Sequence, residues 1–125
     1  MKIVVKQIII IGVVMLLLDA CYLYFNIPMF MRLFRSIQHD NMRVKMIGVV
    51  LCYLLLIFGL YYFIISRRRP VMEAFLFGLV IYGVYETTNY ATFNKWTPLM
   101  LLLDTVWGGT LFALTTWITY LLLKL

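Results

Sequence analysis

Four long apolar runs set the limits on what this chain can fold into. They cover about residues 3–25, 44–66, 71–90 and 97–123, and a helix of about 20 apolar residues is enough to cross the hydrocarbon core of a bilayer. Lipid offers the backbone no hydrogen-bonding partner, so runs of this length favour helices over open strands. We therefore predict an all-α fold, an integral membrane four-helix bundle that forms a single transmembrane domain over residues 1–125.

The composition supports a membrane protein and argues against other classes. Hydrophobic residues make up 65% of the chain and charged residues 13%, against roughly 45–50% and about 25% in soluble domains. The net charge is +6, but the basic residues stand in short groups beside the apolar runs, where they contact lipid headgroups, so we expect no nucleic-acid partner. Cys21 and Cys52 lie inside apolar runs without paired Cys/His spacing, so we expect no disulfide scaffold and no cofactor.

The connector between the first two runs has an amphipathic pattern. Its apolar residues recur at i, i+3, i+4 and i+7, while Arg32 and Arg35 take other faces. This predicts an amphipathic interfacial helix over about residues 28–38, with Pro28 in its first turn. The helix either only anchors the bundle at the membrane surface, or it brings an arginine over nearby acids or an anionic headgroup.

Three acids lie inside the apolar runs, Asp19 in the first, Glu86 in the third and Asp104 in the fourth. Polar groups in hydrocarbon are costly, so each needs a partner or a role. Counting about 1.5 Å per residue from the nearest end of each run places all three within roughly 6–11 Å of one membrane face. We therefore predict that three helices contribute acids to a single layer on the side of the connector.

Helical spacing adds polar and aromatic residues to the same faces. Tyr22 follows Asp19 by one turn, and Trp107 follows Asp104 in the same way. The second run carries no acid, so we predict that its role is packing. The candidate ligand-binding residues are Asp19, Glu86, Asn89, Asp104, Tyr82, Tyr22, Trp107, Arg32 and Arg35.

Two functional interpretations of this layer stay open. Three ionised carboxylates in a medium of low dielectric constant would repel, so the layer is expected to bind a cation, a proton or a polar headgroup. Alternatively, the layer is a hydrogen-bonded core that fixes helix register in a structural component of a viral or cellular membrane assembly. An intramembrane enzyme would need a nucleophile, metal set or motif that the sequence does not show, so we predict no catalytic residue.

Four spans place both termini on the same side of the membrane. The basic residues on the two sides are nearly balanced, and the compact Arg67–Arg69 cluster favours cytoplasmic termini. The expected partners are the lipid bilayer and, as open alternatives, further copies of the chain or a membrane assembly. The basic residues assigned to the terminal side are Lys2, Lys6, Arg67, Arg68, Arg69 and Lys124, and those assigned to the other side are Arg32, Arg35, Arg43, Lys45 and Lys95.

Several segments together resemble a known family. Residues 77–92 read FGLVIYGVYETTNYAT, residues 103–108 read LDTVWG, and residues 18–23 of the first run read LDACYL. They resemble the family called domain of unknown function 2177, which implies a small four-helix membrane protein of bacteria and large DNA viruses without an established activity. Where that family usually has Asp and Trp, this chain has Glu86 and Tyr22, so the class of functional group is kept.

Overall fold

Four helices account for most of the chain. The computed structural model describes residues 2–38, 46–92 and 96–125, and gives the backbone alone for residues 27 and 29–38. Within these residues the elements are α1 (Lys2–Gln38), α2 (Met46–Leu60), a π-helical turn (Tyr61–Ile65) that continues α2, α3 (Val71–Thr92) and α4 (Pro98–Leu123). The all-α prediction is confirmed for this part of the chain. Arg43, Lys45 and Lys95 and the side chains of Arg32 and Arg35 lie outside the described residues.

Each helix has a segment that is long and apolar enough to cross a membrane. The surfaces of these segments expose large apolar side chains, including Leu17, Leu55 and Val80, whose exposed fractions are 64%, 70% and 63%. Apolar surface of this extent is stable only against lipid. The protein is therefore an integral multi-pass membrane protein. The spanning segments are Lys2–Asn26, Met46–Ile65, Val71–Thr92 and Pro98–Leu123.

The segment predicted as an interfacial helix is helical, and it continues α1 without a break. Pro28 lies inside this helix and not in the first turn of a separate one. A proline removes a single i→i−4 hydrogen bond, a loss that membrane helices tolerate when neighbouring groups compensate. Two residues earlier, the Asn26 side chain donates to the Tyr22 carbonyl oxygen at 2.8 Å. This is a side-chain hydrogen bond in addition to those of the helix backbone.

The apolar core lies where α4 meets α1 and the end of α2. Helix α4 packs most extensively on α3 and also contacts α1 and the π-helical turn, whereas α2 packs mainly on α1. Thr97 caps the start of α4 by accepting a hydrogen bond from the Met100 amide at 3.1 Å, and Pro98 follows in the first turn. The buried core residues are Ile11, Met15, Leu56, Leu60, Ile64, Ile65, Ala74, Leu111 and Phe112.

Glycines set the distance and register between the antiparallel helices α3 and α4. A Cβ atom added at Gly78 would overlap the backbone of Gly108, and one added at Gly108 would overlap the Tyr82 ring. Small residues allow two membrane helices to approach this closely. Further along the pair, a Cβ at Gly83 would meet Thr105 at an ordinary 3.6 Å. The same register brings the next turn of α3 against the start of α4.

Candidate functional site

The three predicted acids lie in a network of aromatic hydrogen-bond donors. Asp19 on α1 is 7% exposed, Glu86 on α3 is fully buried, and Asp104 on α4 is half-buried. Polar groups inside a membrane require internal partners because the surrounding lipid provides none. The partners that the structure supplies divide the acids into two unlike groups.

Asp19 has a donor for each of its carboxylate oxygens. The Trp107 indole Nε1 donates to Oδ1 at 3.0 Å, and the Tyr53 hydroxyl donates to Oδ2. An indole N–H can only donate, so Trp107 requires an acceptor of this kind when it is buried. Since Trp107 lies on α4 and Tyr53 on α2, Asp19 connects three helices through two hydrogen bonds.

A stacked aromatic pair links Asp19 to Asp104. The rings of Tyr22 and Trp107 are nearly parallel, with an interplanar angle of 9° and a centroid separation of 4.6 Å. Trp107 donates to Asp19, and the Tyr22 hydroxyl donates to Oδ1 of Asp104. The stacked pair holds these donors in one orientation, because neither ring can turn without losing both the stacking and its hydrogen bond.

Glu86 has a donor for only one of its oxygens. The Trp96 indole Nε1 donates to Oε2 at 2.7 Å, but Oε1 is buried and receives no N–H or O–H from the described residues. The Asp104 carboxyl also interacts with the Glu86 carboxyl. Ionised carboxylates only accept hydrogen bonds, so two of them cannot bond to each other unless one is protonated, and a cation between them also offsets their repulsion.

The other predicted site residues are placed less centrally. Tyr82 packs its ring against Phe112 in an edge-to-face contact with a centroid separation of 6.3 Å. Asn89 is half-buried one turn after Glu86, and its side chain makes no hydrogen bond within the described part of the chain. The side chains of Arg32 and Arg35 lie outside the described residues, so their predicted position over the acids stays a prediction.

Sequence reasoning missed two donors of the network, Tyr53 and Trp96. The second span was predicted only to pack, but its Tyr53 hydroxyl donates to Asp19. An aromatic residue beside the end of a span is typically an interface anchor, yet Trp96 is only 5% exposed and donates to Glu86. A tyrosine in the middle of an apolar span was the available signal for the first, because its hydroxyl needs a partner there.

The acids do not form a multidentate metal site. In the part of the chain that the structure describes, no three His, Cys, Asp or Glu side chains lie close enough together to hold a metal ion. The Glu86 and Asp104 carboxyl groups interact, and this pair offers two carboxyl groups from two helices. Such a pair has the chemistry to hold one small positive species.

Comparison with other proteins agrees with this description of the fold. No curated protein and no solved structure matches the chain. A family described as "predicted membrane protein (DUF2177)" matches residues 4–121, which include all three acids and all of their aromatic donors. The chain therefore belongs to the DUF2177 family of membrane proteins.

Proposed function

We propose that the Glu86–Asp104 pair binds one proton or one monovalent cation inside the membrane. The observation that supports this proposal is Oε1 of Glu86, a fully buried oxygen that lacks a donor among the described residues and belongs to a carboxyl group facing a second acid. Each acid is already held by one aromatic donor, Trp96 for Glu86 and Tyr22 for Asp104. The remaining oxygens are free to share a ligand.

Electrostatics favour a singly charged ligand. Two unit negative charges 4 Å apart repel by about 4 kcal/mol at an effective dielectric constant of 20. One proton or one monovalent cation reduces the charge of the pair to −1 and removes this repulsion. Calcium usually takes six to eight oxygen ligands, more than two carboxyl groups offer. A polar headgroup is larger and would need an opening to Glu86, which is fully buried.

Other residues of the predicted set would assist this binding. Asn89 lies one turn from Glu86 toward the end of α3, where its amide is suited to a ligand that approaches from that membrane face. Arg32 and Arg35 remain candidates for a lid over the acids. Tyr82 acts through packing, because its ring fills the space next to Gly108 and so holds α3 against α4.

Infrared spectroscopy and calorimetry test this proposal directly. Purified protein in detergent should show the carbonyl stretch of a protonated carboxyl group at neutral pH in a buffer free of alkali ions. Titration with Na⁺, Li⁺ or K⁺ should either release one proton per chain in weak buffer, which indicates a cation, or leave the band unchanged, which indicates a proton alone.

The matched variants are Glu86→Gln and Asp19→Asn. Each replaces one acid of the layer by its amide, but only the first removes a member of the proposed pair. The protonated band and any cation binding should disappear in Glu86→Gln and persist in Asp19→Asn. A wild-type protein with neither the band nor a heat of cation binding would refute the proposal, and so would equal losses in both variants.

A structural role for the layer is the second candidate, and the hydrogen bonding of Asp19 favours it for that residue. Both of its oxygens accept hydrogen bonds from other helices, so Asp19 needs no ligand. On this alternative the protein is a structural component of a membrane assembly or a homo-oligomer. Unfolding of both variants with no ligand-dependent difference would support it.

We also propose that both termini face the cytoplasm. The proposal rests on the Arg67–Arg69 cluster, which lies between the second and third spans on the same side as the termini, together with the preference of arginine for cytoplasmic loops. Labelling of single cysteines placed at the C-terminus and in the turn with a membrane-impermeant maleimide tests it. Labelling of either in intact cells would contradict it.

A further inference from the structure

The turn between α2 and α3 forms a basic cleft at the end of the second span. Phe63, Arg67 and Arg69 line this cleft, which has a volume of about 430 Å³. The preceding span ends at Ile65 and the following one begins at Val71, so the cleft lies at the level of the lipid headgroups. It is at the opposite end of α3 from Glu86.

The Arg67 guanidinium makes two contacts with Tyr62. It lies 5.0 Å from the centre of the Tyr62 ring, and its Nε donates to the Tyr62 carbonyl oxygen at 3.3 Å. An arginine has five N–H donors, so the four on its terminal nitrogens stay available. None of these four has a hydrogen-bond partner within the described residues.

Arg69 is held differently, by an acid of α3. Its Nε lies 2.7 Å from Oε2 of Glu73, and a terminal nitrogen donates to Oε1 at 2.8 Å. This hydrogen-bonded pair raises the pKa of the Arg69 guanidinium above its usual value, so the group stays charged. Much of its charge is balanced by Glu73, which leaves Arg67 as the main anion-binding group of the cleft.

The backbone of the turn is also fixed. The Tyr120 hydroxyl of α4 donates to the Arg69 carbonyl oxygen at 2.6 Å, and the Arg69 amide donates to the Ile64 carbonyl oxygen at 2.9 Å. Arg68 adopts a left-handed conformation with φ of 52°, which reverses the chain between the two spans. A ligand would therefore meet guanidinium groups that are already in place, which lowers the entropy cost of binding.

We propose that this cleft binds a phosphate group through Arg67, with Arg69 at its edge. A planar guanidinium with paired N–H donors matches the oxygens of a phosphate. Phe63 is half exposed in the same cleft, and an apolar ring beside the phosphate site suits a phosphate that carries lipid chains better than a free one. The turn lies at the level of the lipid headgroups, which also favours a phospholipid as the source of the phosphate.

Native mass spectrometry of the detergent-purified protein tests this proposal. The protein is titrated separately with phosphatidylglycerol, with phosphatidylcholine and with inorganic phosphate. We expect phosphatidylglycerol to bind, and Arg67→Gln to weaken that binding about fivefold. Arg67→Lys keeps the charge but not the planar pair of donors, so its affinity for phosphatidylglycerol should lie between those of the wild type and Arg67→Gln.

Lys124→Gln is the matched control, because it removes a positive charge on the same side of the membrane but outside the cleft. It should change phosphatidylglycerol binding less than Arg67→Gln does. Inorganic phosphate that binds as tightly as phosphatidylglycerol, and is lost in Arg67→Gln, would identify a free phosphate as the source. Equal losses in Arg67→Gln and Lys124→Gln would overturn the proposal, as would equal binding of both lipids with no effect of Arg67→Gln.

Discussion

Asp19 and the Glu86–Asp104 pair belong to the same network, but they differ in how many of their oxygens receive a hydrogen bond. Asp19 accepts two hydrogen bonds, one from each of two neighbouring helices. Glu86 accepts one, and its other oxygen receives no donor from the described residues. A buried acid with a donor for every oxygen can act in the fold without a ligand, whereas one that faces another acid needs something bound.

The difference follows from which helices meet. Aromatic donors reach Asp19 because α1 contacts both α2 and α4, and each of these carries a long ring with a polar tip. Helices α3 and α4 approach through glycines instead, and the aromatic donors of Glu86 and Asp104 each reach only one oxygen of the pair. Close approach thus brings two acids together without a group to separate them.

The largest expected effect comes from Asp19→Ala. It leaves the Trp107 indole N–H and the Tyr53 hydroxyl buried without their acceptor, and each orphaned donor costs about 1–3 kcal/mol. We expect the free energy of unfolding in mixed micelles to fall by about 3 kcal/mol in total. Glu86→Ala orphans a single donor, Trp96, so its loss should be clearly smaller. Equal losses of unfolding free energy in Asp19→Ala and Glu86→Ala would show that the two acids contribute alike to stability.

The next effect concerns the glycine contact that brings the two acids together. Gly78→Ala places a Cβ against the backbone of Gly108, which cannot move cheaply, and overpacking of this kind costs about 1–3 kcal/mol. We expect a loss of about 2 kcal/mol in unfolding free energy and weaker cation or proton binding. The Asp19 hydrogen bonds do not involve α3 and should persist.

Gly48→Ala is the control for this substitution, because a Cβ at Gly48 meets no other atom within 4 Å. It should leave stability unchanged or raise it by up to about 1 kcal/mol through helix propensity. A Gly78→Ala variant as stable as Gly48→Ala would show that α3 can move away from α4 freely, and the proposed pairing of the acids would lose its geometric basis.

Removal of single donors should give effects of intermediate size. Trp107→Phe removes the indole N–H that Asp19 accepts, and Trp96→Phe removes the one that Glu86 accepts. Each should lower the unfolding free energy by about 1 kcal/mol, measured in the same micelles. Only Trp96→Phe should also change the affinity for the bound cation or the position of the protonated carboxyl band. If Trp107→Phe changes the cation affinity or the carboxyl band equally, the ligand is not specific to the Glu86–Asp104 pair.

Much of this arrangement follows from the sequence, and the rest depends on helix rotation. Apolar length alone predicts the helices, because lipid forces each long apolar run to satisfy its own backbone. Spacing from the span ends groups the three acids, and helical spacing adds Tyr22 and Trp107. The structure connects Asp19, Tyr22, Trp107 and Asp104 by hydrogen bonds and stacking. Sequence spacing does not say which face of α2 turns inward, so Tyr53 was missed.

Trp96 was missed for a different reason. Near the end of a span, an aromatic residue is typically an interface anchor, and the sequence pattern of Tyr90 and Trp96 fits that role. In the structure the Trp96 indole instead donates to Glu86, ten residues earlier. A contact of this kind depends on the path of a connection, which periodicity does not describe.

The smallest effect on stability is expected for Glu86→Gln. Here the sign of the change in unfolding free energy is more informative than its size. The oxygen of the introduced amide can still accept from Trp96, and its nitrogen can donate to Asp104 at all times, whereas the native pair has a donor only while a proton is bound. Interhelical hydrogen bonds in membranes contribute about 0.6 kcal/mol on average. The variant should therefore be slightly more stable than the wild type, measured by unfolding at neutral pH in an alkali-free buffer.

Asp19→Asn is the matched comparison, and it should be destabilised under the same conditions. Its amide oxygen can accept from the Trp107 indole, but its nitrogen then faces the Tyr53 hydroxyl, which must change from donor to acceptor and leave its own proton without this partner. Opposite signs for these two isosteric substitutions would show that the two acids have different roles. A loss of stability in both would mean that Glu86, like Asp19, is a structural carboxylate whose hydrogen bonds are already complete.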